Sequence, residues 1–287
     1  MSNHLLTFHT LSPLHCGIGQ AVGAIELPIA REKPTHIPVI PGSSIKGVFR
    51  AEPQDAALQK AAFGPVTQDA SEHAGAIQFA DARLVLLPMR SLKGVFAWTT
   101  SPYLLARLSR DLVQAGLKPW AQEPEVRDAS CLVASPSSLV HDGKVILDDL
   151  DFQAVNGQQN VDDVARILGA LFFPEAPEAV AKRLCIVPDD VMSLLLEMGT
   201  ELQTRVCLDP DTKTVRKGQL WQEENLPVES LLAGVVQVNA APGTTEAELA
   251  KHLAGLCTRG QSKATLQFGG KSTVGKGLCL VGLAGKE

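Results

Sequence analysis

The chain of 287 residues is long enough for one elaborated domain or two small ones around a sizeable hydrophobic core. Hydrophobic residues make up 45% and charged residues 20%, the balance of an ordinary soluble globular protein. No apolar run approaches the roughly 18 residues that a membrane span needs, which excludes a membrane-spanning helix. The N-terminus lacks the basic and apolar regions of a signal peptide, so we expect a cytoplasmic protein with no membrane partner.

The first hundred residues predict three strands and a helix. Strands are expected at 5–11, 76–89 and 95–100, where apolar residues alternate or form short runs. Between the first two, Ser43 or Ser44 is expected to cap a helix that continues to Phe63 if Pro53 does not end it.

The middle of the chain predicts three helices. Ser101, Pro102 and Gly116 are the cap, first-turn and stop signals of the first helix. Its buried face is expected to carry Leu104, Leu105, Leu108 and Leu112. The region 117–180 is rich in proline and acidic residues and has weak signals apart from a helix at 161–173. A further capped helix is expected at 188–199.

The last third predicts a β-hairpin, followed by a strand, a helix and a strand–loop–strand unit. The hairpin strands are 201–209 and 213–221, and the later elements are 229–239, 244–257 and 265–282. Strand–helix–strand therefore occurs once near each end of the chain. This order predicts an α+β fold with a ferredoxin-like, RNA-recognition-type core and large insertions.

A glycine-rich loop, FGGKSTVGKG at 268–277, has the spacing of a nucleotide-binding P-loop up to Lys276. Gly277 stands where the Mg²⁺-binding hydroxyl of a P-loop belongs, and the residues after it predict a strand instead of a helix. A nucleoside triphosphate site is therefore excluded. Backbone N–H groups and two lysine ammonium groups in such a loop can instead approach a phosphodiester.

Cysteine and histidine patterns do not indicate a metal site or disulfides. The six cysteines are scattered through apolar stretches without a C-x-x-C pair, as small buried hydrophobic residues would be. His4, His9 and His15 are close in sequence, but further ligands at short spacing are missing.

The net charge of −5 argues against a nucleic-acid partner, but the distribution of charge weakens that objection. Between Arg259 and Gly277 there are four Lys or Arg residues and no acid, and Arg31, Lys33, Lys46 and Arg50 crowd a second stretch. Phosphate binding depends on such local patches and not on the total charge. Solvated faces of unrelated elements would explain the same composition.

Several segments together carry a family resemblance. They are FGGKSTVGKG (268–277), IELPIARE (25–32), PVIPGSSIKGVFR (38–50), FGP (63–65), LLPMRSLKGVFAWTTSPYLL (86–105), VILDDLDF (145–152), IVPDDVMSLL (186–195), ELQTRVCLD (201–209) and GQLWQEENLP (218–227). In this order they resemble the RAMP (repeat-associated mysterious protein) superfamily, and within it the backbone subunit of the type III-B CRISPR effector, the Cmr module.

The resemblance implies a single RAMP-type domain over 1–287. A palm of RNA-recognition type would be formed mainly by about 1–100 and 228–287, with an inserted region of fingers at about 117–187. A β-hairpin thumb would occupy about 200–226.

The resemblance also implies a function. Copies of the subunit would form a filament along a CRISPR RNA guide, together with the other subunits of the effector. Each thumb would displace one nucleotide, and the complementary target RNA would be cut at those intervals. Two alternatives remain: a scaffold that binds the guide without cutting, and a nuclease that processes CRISPR RNA.

Site residues follow from the motif match. In the family, the cleavage residue is an aspartate after the first strand, and here Glu26 takes its position, as a candidate ligand of Mg²⁺ or Mn²⁺. His15 and Glu223 match positions near the cut, while a tyrosine that the family has near Glu223 is absent. The expected RNA-binding residues are Ser43, Ser44, Lys46 and Arg50 on the first helix and Gly269, Gly270, Lys271, Ser272 and Lys276 in the glycine-rich loop.

Overall fold

A computed structural model describes residues 1–20, 25–65, 74–258 and 262–285 of the chain. These ranges contain both strands and helices. The strands within these ranges are β1 (Ser2–Thr10), β2 (Val39–Ile40), β3 (Ile77–Phe79), β4 (Ala82–Arg90), β5 (Phe96–Thr100), β6 (Ser130–Val133), β7 (Lys144–Leu147), β8 (Leu150–Val155), β9 (Leu184–Ile186), β10 (Glu201–Leu208), β11 (Val215–Asn225), β12 (Leu231–Val238), β13 (Ala264–Gln267) and β14 (Leu278–Ala284). The helices are α1 (Gly42–Ala51), α2 (Ala56–Phe63), α3 (Pro102–Gln114), α4 (Gln159–Phe172), α5 (Glu178–Arg183), α6 (Asp189–Met198) and α7 (Glu246–Thr258).

Four strands at the centre of the large sheet have the predicted β-α-β-β-α-β order. β1 pairs antiparallel with β12 on one side and with β14 on the other, and β12 pairs antiparallel with β4. Helices α1 and α2 connect β1 towards β4, and α7 connects β12 towards β14. The strands of the two strand–helix–strand units predicted near the ends of the chain thus interleave in one sheet, in the order β14, β1, β12, β4.

Strand β1 is buried on both faces, because its side chains point alternately into two hydrophobic cores. Leu6 and Phe8 point into the core that contains α1 and α7 residues, whereas Leu5 points into the core that contains α3 and α4 residues. Residues of β1 from Leu5 to Thr10 are all buried. Of the four leucines predicted for the inner face of α3, Leu105, Leu108 and Leu112 lie in the second core and Leu104 in the first, and Ser101 caps this helix as expected.

The other half of the sheet was poorly predicted. It continues through β4 in the order β5, β9, β6, β8 and β7, with parallel and antiparallel pairs. The helix expected at 161–173 is present as α4. Strands β6, β7 and β8 were missed within 117–180, since each has only four to six residues.

The start of α1 differs from the prediction. Neither Ser43 nor Ser44 caps the helix, which begins at Gly42 and makes no side-chain cap hydrogen bond. The Gly42 N–H instead donates to Asp81 Oδ1 at 2.7 Å, so a carboxylate far along the chain takes the place of a local cap. The helix also ends at Ala51, and a second helix begins after its own cap, Asp55.

Five of the six cysteines are buried, as the sequence predicts for small hydrophobic residues. The exception is Cys207, and all six are free thiols. In the described ranges, no helix combines the length and the hydrophobicity required to cross a bilayer.

Candidate functional site

Three segments from distant parts of the chain meet at the base of the β10–β11 hairpin. Isolated bridges join Leu14 to Leu226, Gly17 to Ile29 and Leu27 to Glu223. The segment after β1, the segment around 26–31 and the end of β11 therefore run side by side. His15, Glu26 and Glu223, which the motif match had singled out, lie on these three neighbouring segments.

Glu224 holds the three segments together, although it was not among the predicted site residues. Its buried carboxylate accepts hydrogen bonds from the Ile29 N–H at 3.0 Å and from Arg31 Nη2 at 2.7 Å. Arg31 also donates to the Leu196 carbonyl at 3.0 Å, which ties the loop to α6. The position was detectable only as the second acid of the WQEEN segment.

His15 is held as one tautomer. Its Nδ1 is 2.7 Å from the Glu224 carbonyl oxygen, which can only accept, so Nδ1 carries the proton. The lone pair of the neutral ring is then on Nε2, which has no hydrogen-bond partner among the described residues. A Cβ at Gly17 would come within 2.5 Å of Nε2, so glycine is what leaves room there. An imidazole in this state can accept a proton.

Glu223 is a buried carboxylate surrounded by donors. Oε1 accepts from Lys271 Nζ at 2.8 Å and Trp221 Nε1 at 2.7 Å, and Oε2 accepts from Lys276 Nζ at 3.1 Å. Arg205 Nε is 3.5 Å from Oε2. Burial opposes ionisation, but the hydrogen bonds from Lys271, Trp221 and Lys276 outweigh it and lower the pKa of Glu223 to about 2. Glu223 is therefore ionised at neutral pH and is too weak a base to act as a general base there.

The glycine-rich loop (268–277) joins two antiparallel strands, β13 and β14, and contains a short 3₁₀ turn at Ser272–Val274. The strand predicted after the loop is present as β14, where a P-loop would open an α-helix. Gly270 N–H donates to the His15 carbonyl at 2.9 Å, and a Cβ at Gly269 would lie 2.3 Å from that oxygen. The loop is thus packed directly against His15.

The lysines of this loop have different surroundings. Lys276 is 4% exposed, and its ammonium donates to both Glu223 and Asn225, the latter at 2.8 Å. The side chain of Lys271 is 34% exposed and lies over the Trp221 ring, 5.9 Å from its centroid. The ammonium of Lys276 therefore serves the buried carboxylate, while that of Lys271 is partly accessible from outside. Arg259, at the start of the same basic stretch, lies outside the described residues.

Glu26 is exposed and lies at the edge of β11. Its Oε2 accepts from the Gln222 N–H at 2.9 Å, next to the bridge between Leu27 and Glu223. Within the described ranges its other oxygen has no partner, so one carboxylate oxygen remains open. No group of three or more His, Cys, Asp or Glu that could hold a metal occurs among these residues.

Three of the expected RNA-binding residues of α1 line a groove that is separate from the base of the β10–β11 hairpin. Ser43, Lys46 and Arg50 border this groove, whose other wall is formed by 63–65 and by Gln78 and Phe79. Arg50 donates to the Pro65 carbonyl at 2.9 Å, which fixes its guanidinium at the rim. The structure thus shows two basic regions, one on α1 and one at the glycine-rich loop.

Comparison with known proteins defines the class. The family profile of the RAMP superfamily matches residues 7–280. The CRISPR system Cmr endoribonuclease Cmr4 of Pyrococcus furiosus is 37% identical over 290 residues, which cover 99% of this chain and 96% of that protein. The chain therefore belongs to the RAMP superfamily, and the resemblance drawn from its motifs is confirmed.

Solved structures agree with this assignment. A crystal structure of oligomeric Cmr4 from Pyrococcus furiosus is 30% identical, with a TM-score of 0.78 over 100% of this chain and 99% of that one. A chain of the type III-B Cmr-beta complex bound to cognate target RNA is 19% identical, with a TM-score of 0.76 over 99% of this chain and 97% of that one. The second likeness supports the fold alone.

Proposed function

We propose that this chain is a backbone subunit of a type III-B CRISPR effector that binds a guide RNA and cuts complementary target RNA at regular intervals. The observation that carries the proposal is the convergence of His15, Glu26 and the Glu223–lysine cluster at the base of one hairpin. The relative named as a Cmr endoribonuclease supports it, since its identity of 37% extends over nearly the whole chain. The partners would be a guide RNA, target RNA, further copies of the chain and the other effector subunits.

The parts of the fold suit these roles. The sheet formed by β14, β1, β12 and β4 would be the palm, and the elements from β6 to β9 would belong to the inserted fingers. The β10–β11 hairpin would be the thumb, since residues 215–220 of β11 are all exposed and every second residue of β10 is exposed. A two-stranded projection of this kind can lie across an RNA strand and displace a nucleotide.

RNA brings its own nucleophile to this site. The 2′-hydroxyl adjacent to the scissile phosphate would lose its proton to His15 Nε2 as its oxygen attacks phosphorus. The bond from phosphorus to the 5′-oxygen then breaks, and that oxygen takes a proton from solvent. The products would be a 2′,3′-cyclic phosphate and a 5′-hydroxyl. The protein must hold the attacking oxygen in line, which a displaced nucleotide permits.

Glu26 would bind the Mg²⁺ or Mn²⁺ ion. Mg²⁺ commonly binds one or two carboxylates together with substrate phosphates and water, and the open oxygen of Glu26 fits this pattern. When bound, the ion would stabilise negative charge on the phosphate. Within the chain itself, Glu26 also closes the edge of β11 through the Gln222 N–H.

One observation favours the scaffold alternative. Glu26 is one methylene longer than the family's aspartate, and its carboxylate is already engaged by the Gln222 N–H. A displacement of about 1 Å at a reacting group can reduce a rate about 10²-fold. A chain that binds the guide but does not cut would retain every other contact described above.

The deciding experiment is a cleavage assay on a complex reconstituted with guide RNA, labelled complementary RNA and divalent metal. We expect Glu26→Ala to abolish periodic cleavage without affecting assembly, and Glu26→Asp to retain or raise the rate. Glu26→Gln is the matched control, because it can still accept the Gln222 N–H but has no charge. If the wild type does not cut and Glu26→Asp does, the subunit is a scaffold. If Glu26→Ala cuts as fast as the wild type, the assignment of Glu26 is wrong.

A further inference from the structure

Two lysines of the glycine-rich loop share one carboxylate but are not equivalent. Lys276 is buried between Glu223 and Asn225, and both of its partners are themselves inaccessible to solvent. Lys271 bonds the opposite oxygen of Glu223 and keeps a third of its side chain exposed. Only Lys271 can therefore reach a ligand without first opening the core.

We propose that Lys271 is a catalytic residue that moves from Glu223 to the scissile phosphate, and that Glu223 is the positioning residue that holds it ready. This inference rests on the proposed RNA-cleaving function and assigns a second group, in addition to the metal ion at Glu26, that stabilises the charge on the phosphate. It also separates the lysines of the loop into a mobile cation and a fixed one.

The position of Lys271 suits this role. Gly270, its neighbour, is hydrogen-bonded to the His15 carbonyl, and a Cβ built on Gly270 would be 3.8 Å from the His15 ring. The base and the cation are thus attached to the same small unit of structure. The backbone of Lys271 has φ +67°, an unusual conformation for a lysine that directs its side chain over Trp221 and towards Glu223.

Glu223 can release Lys271 at a tolerable cost. When Lys271 leaves, the carboxylate still has Lys276, Trp221 and Arg205 as partners. Departure of Lys276 would instead take a buried donor from both Asn225 Oδ1 and Glu223 Oε2, which is unfavourable for buried polar groups. A phosphate that approaches from the exposed side offers Lys271 an equivalent anion, so the exchange is close to balanced.

The chemical step needs a cation at this place. As the 2′-oxygen attacks and its proton passes to His15 Nε2, negative charge grows on the non-bridging oxygens of the phosphate. An ammonium group placed in advance stabilises that charge more in the transition state than in the ground state. Breakage of the bond to the 5′-oxygen then returns the phosphate to a single charge, and Lys271 can return to Glu223.

The first test measures single-turnover cleavage in the reconstituted complex. Removal of one such donor typically reduces a rate by about 10²–10³. We expect Lys271→Ala to show a loss of this size with unchanged guide assembly, and Lys271→Arg to restore part of the rate. Lys251→Ala, which removes an exposed lysine of α7, is the matched control and should cut at the wild-type rate.

The second test does not depend on cleavage. The slope of log affinity against log salt for target RNA should become shallower by roughly 0.7–0.9 in Lys271→Ala, the value for one phosphate contact. A lower rate at an unchanged slope places the contact in the transition state and also supports the proposal. Equal rates and equal slopes for Lys271→Ala and wild type would overturn it, as would a loss of assembly that Lys271→Arg does not restore.

The two tests also separate this proposal from the proposed function. If the wild-type complex binds but does not cut target RNA, the nuclease function fails. A shallower salt slope for Lys271→Ala would then leave the phosphate contact standing, whereas an unchanged slope would overturn that as well.

Discussion

Glu223 and Glu224 are adjacent on β11, yet their carboxylates contact different partners. Successive side chains of a strand point to opposite faces, so Glu223 faces the glycine-rich loop and Glu224 faces the loop that contains Arg31. The Glu223 carboxylate therefore connects the hairpin to the C-terminal part of the sheet, and the Glu224 carboxylate connects it to the segment around 26–31. Each of these connections can be removed separately by substitution.

Glu224→Ala is expected to destabilise the protein strongly. It would leave the Arg31 guanidinium, whose side chain is 14% exposed, without its anion, and removal of one partner of a buried pair costs about 3–5 kcal/mol. Denaturant unfolding measures this loss. Glu197→Ala is the control, because Glu197 is exposed and its carboxylate is 3.7 Å from His36 Nδ1 in a surface pair, so its substitution should change stability by less than about 1 kcal/mol. Equal effects of the two variants would contradict the role given to Glu224.

Glu223 should make stability depend on acid pH. Its pKa is lowered from 4.5 to about 2 by folding, so its contribution is complete above the unfolded pKa and is lost as the pH falls from about 4.5 to about 2. A shift of this size corresponds to about 3 kcal/mol. We expect the difference in unfolding free energy between wild type and Glu223→Gln to shrink over this pH range. A difference that stays constant from neutral pH to pH 2 would disprove this assignment.

At the scale of elements, the glycine-rich loop has two glycines with the same kind of backbone but different surroundings. Gly275 has φ +80° and no atom within 4 Å of a built Cβ, whereas at Gly277, with φ +85°, the Cβ would lie 2.0 Å from the Phe268 carbonyl oxygen. Gly277→Ala therefore adds a steric clash to the backbone strain that both substitutions share.

We expect Gly275→Ala to cost about 1–2 kcal/mol and Gly277→Ala at least twice as much. Thermal unfolding of the two variants side by side gives the comparison. Gly275→Ala should still assemble on guide RNA, since the loop keeps its shape. Equal melting temperatures for the two variants would contradict this prediction, because they would mean that the backbone near Gly277 moves to accommodate the added methyl group.

The β10–β11 hairpin exposes apolar side chains that are suited to contact with another molecule. Alternate residues on one of its faces are apolar and between 44% and 57% exposed: Leu202, Val206, Leu208, Val215 and Leu220. Its tip is stabilised locally, with Asp209 accepting from the backbone of Asp211 and Thr212 at 3.0 Å. The outer half of the hairpin therefore contributes little to the stability of the rest.

Shortening the hairpin tests its role as a thumb. Val206 pairs with Leu220, so Asn-Gly in place of 207–219 would close the hairpin with a two-residue turn. We expect a melting temperature close to that of the wild type, retained guide binding and loss of periodic cleavage. The assay of reconstituted complexes decides, and normal periodic cleavage by the shortened chain would show that the outer hairpin is not needed.

How far the sequence predicts each element depends on the strength of its local signals. The hairpin, α3 and α7 have clear periodicity and end signals, and all three were predicted. The cap of α1 was predicted wrongly, because Asp81, between β3 and β4, takes its place from far along the chain. The positions of His15 and Glu223 came from the family motif, but the partners of Glu223 are fixed only by tertiary contacts. Glu224 could not be told from an ordinary surface acid.

At the scale of the whole molecule, the exposed hairpin and the separate basic regions suggest an open assembly along RNA. We expect the mass in solution to rise in steps of one subunit as the guide is lengthened, and to remain low without RNA. A variant with Lys46→Ala and Arg50→Ala should reach the same assembled mass only at a lower salt concentration. This decrease in salt concentration should be the same for unrelated guide sequences. Light scattering measures this. A closed dimer that RNA does not change would contradict it.

The site is assembled from parts that lie far apart in the chain. His15 is 209 positions from Glu224, whose carbonyl fixes its tautomer, and the lysines that surround Glu223 come later still. A ribosome makes the histidine early and the lysines almost last. Until the glycine-rich loop has been synthesised and β14 has paired with β1, the nascent chain carries the base without the cations. Under the proposed function, messenger RNA that is still being translated would therefore meet an incomplete site, and cleavage would begin only after the chain has folded.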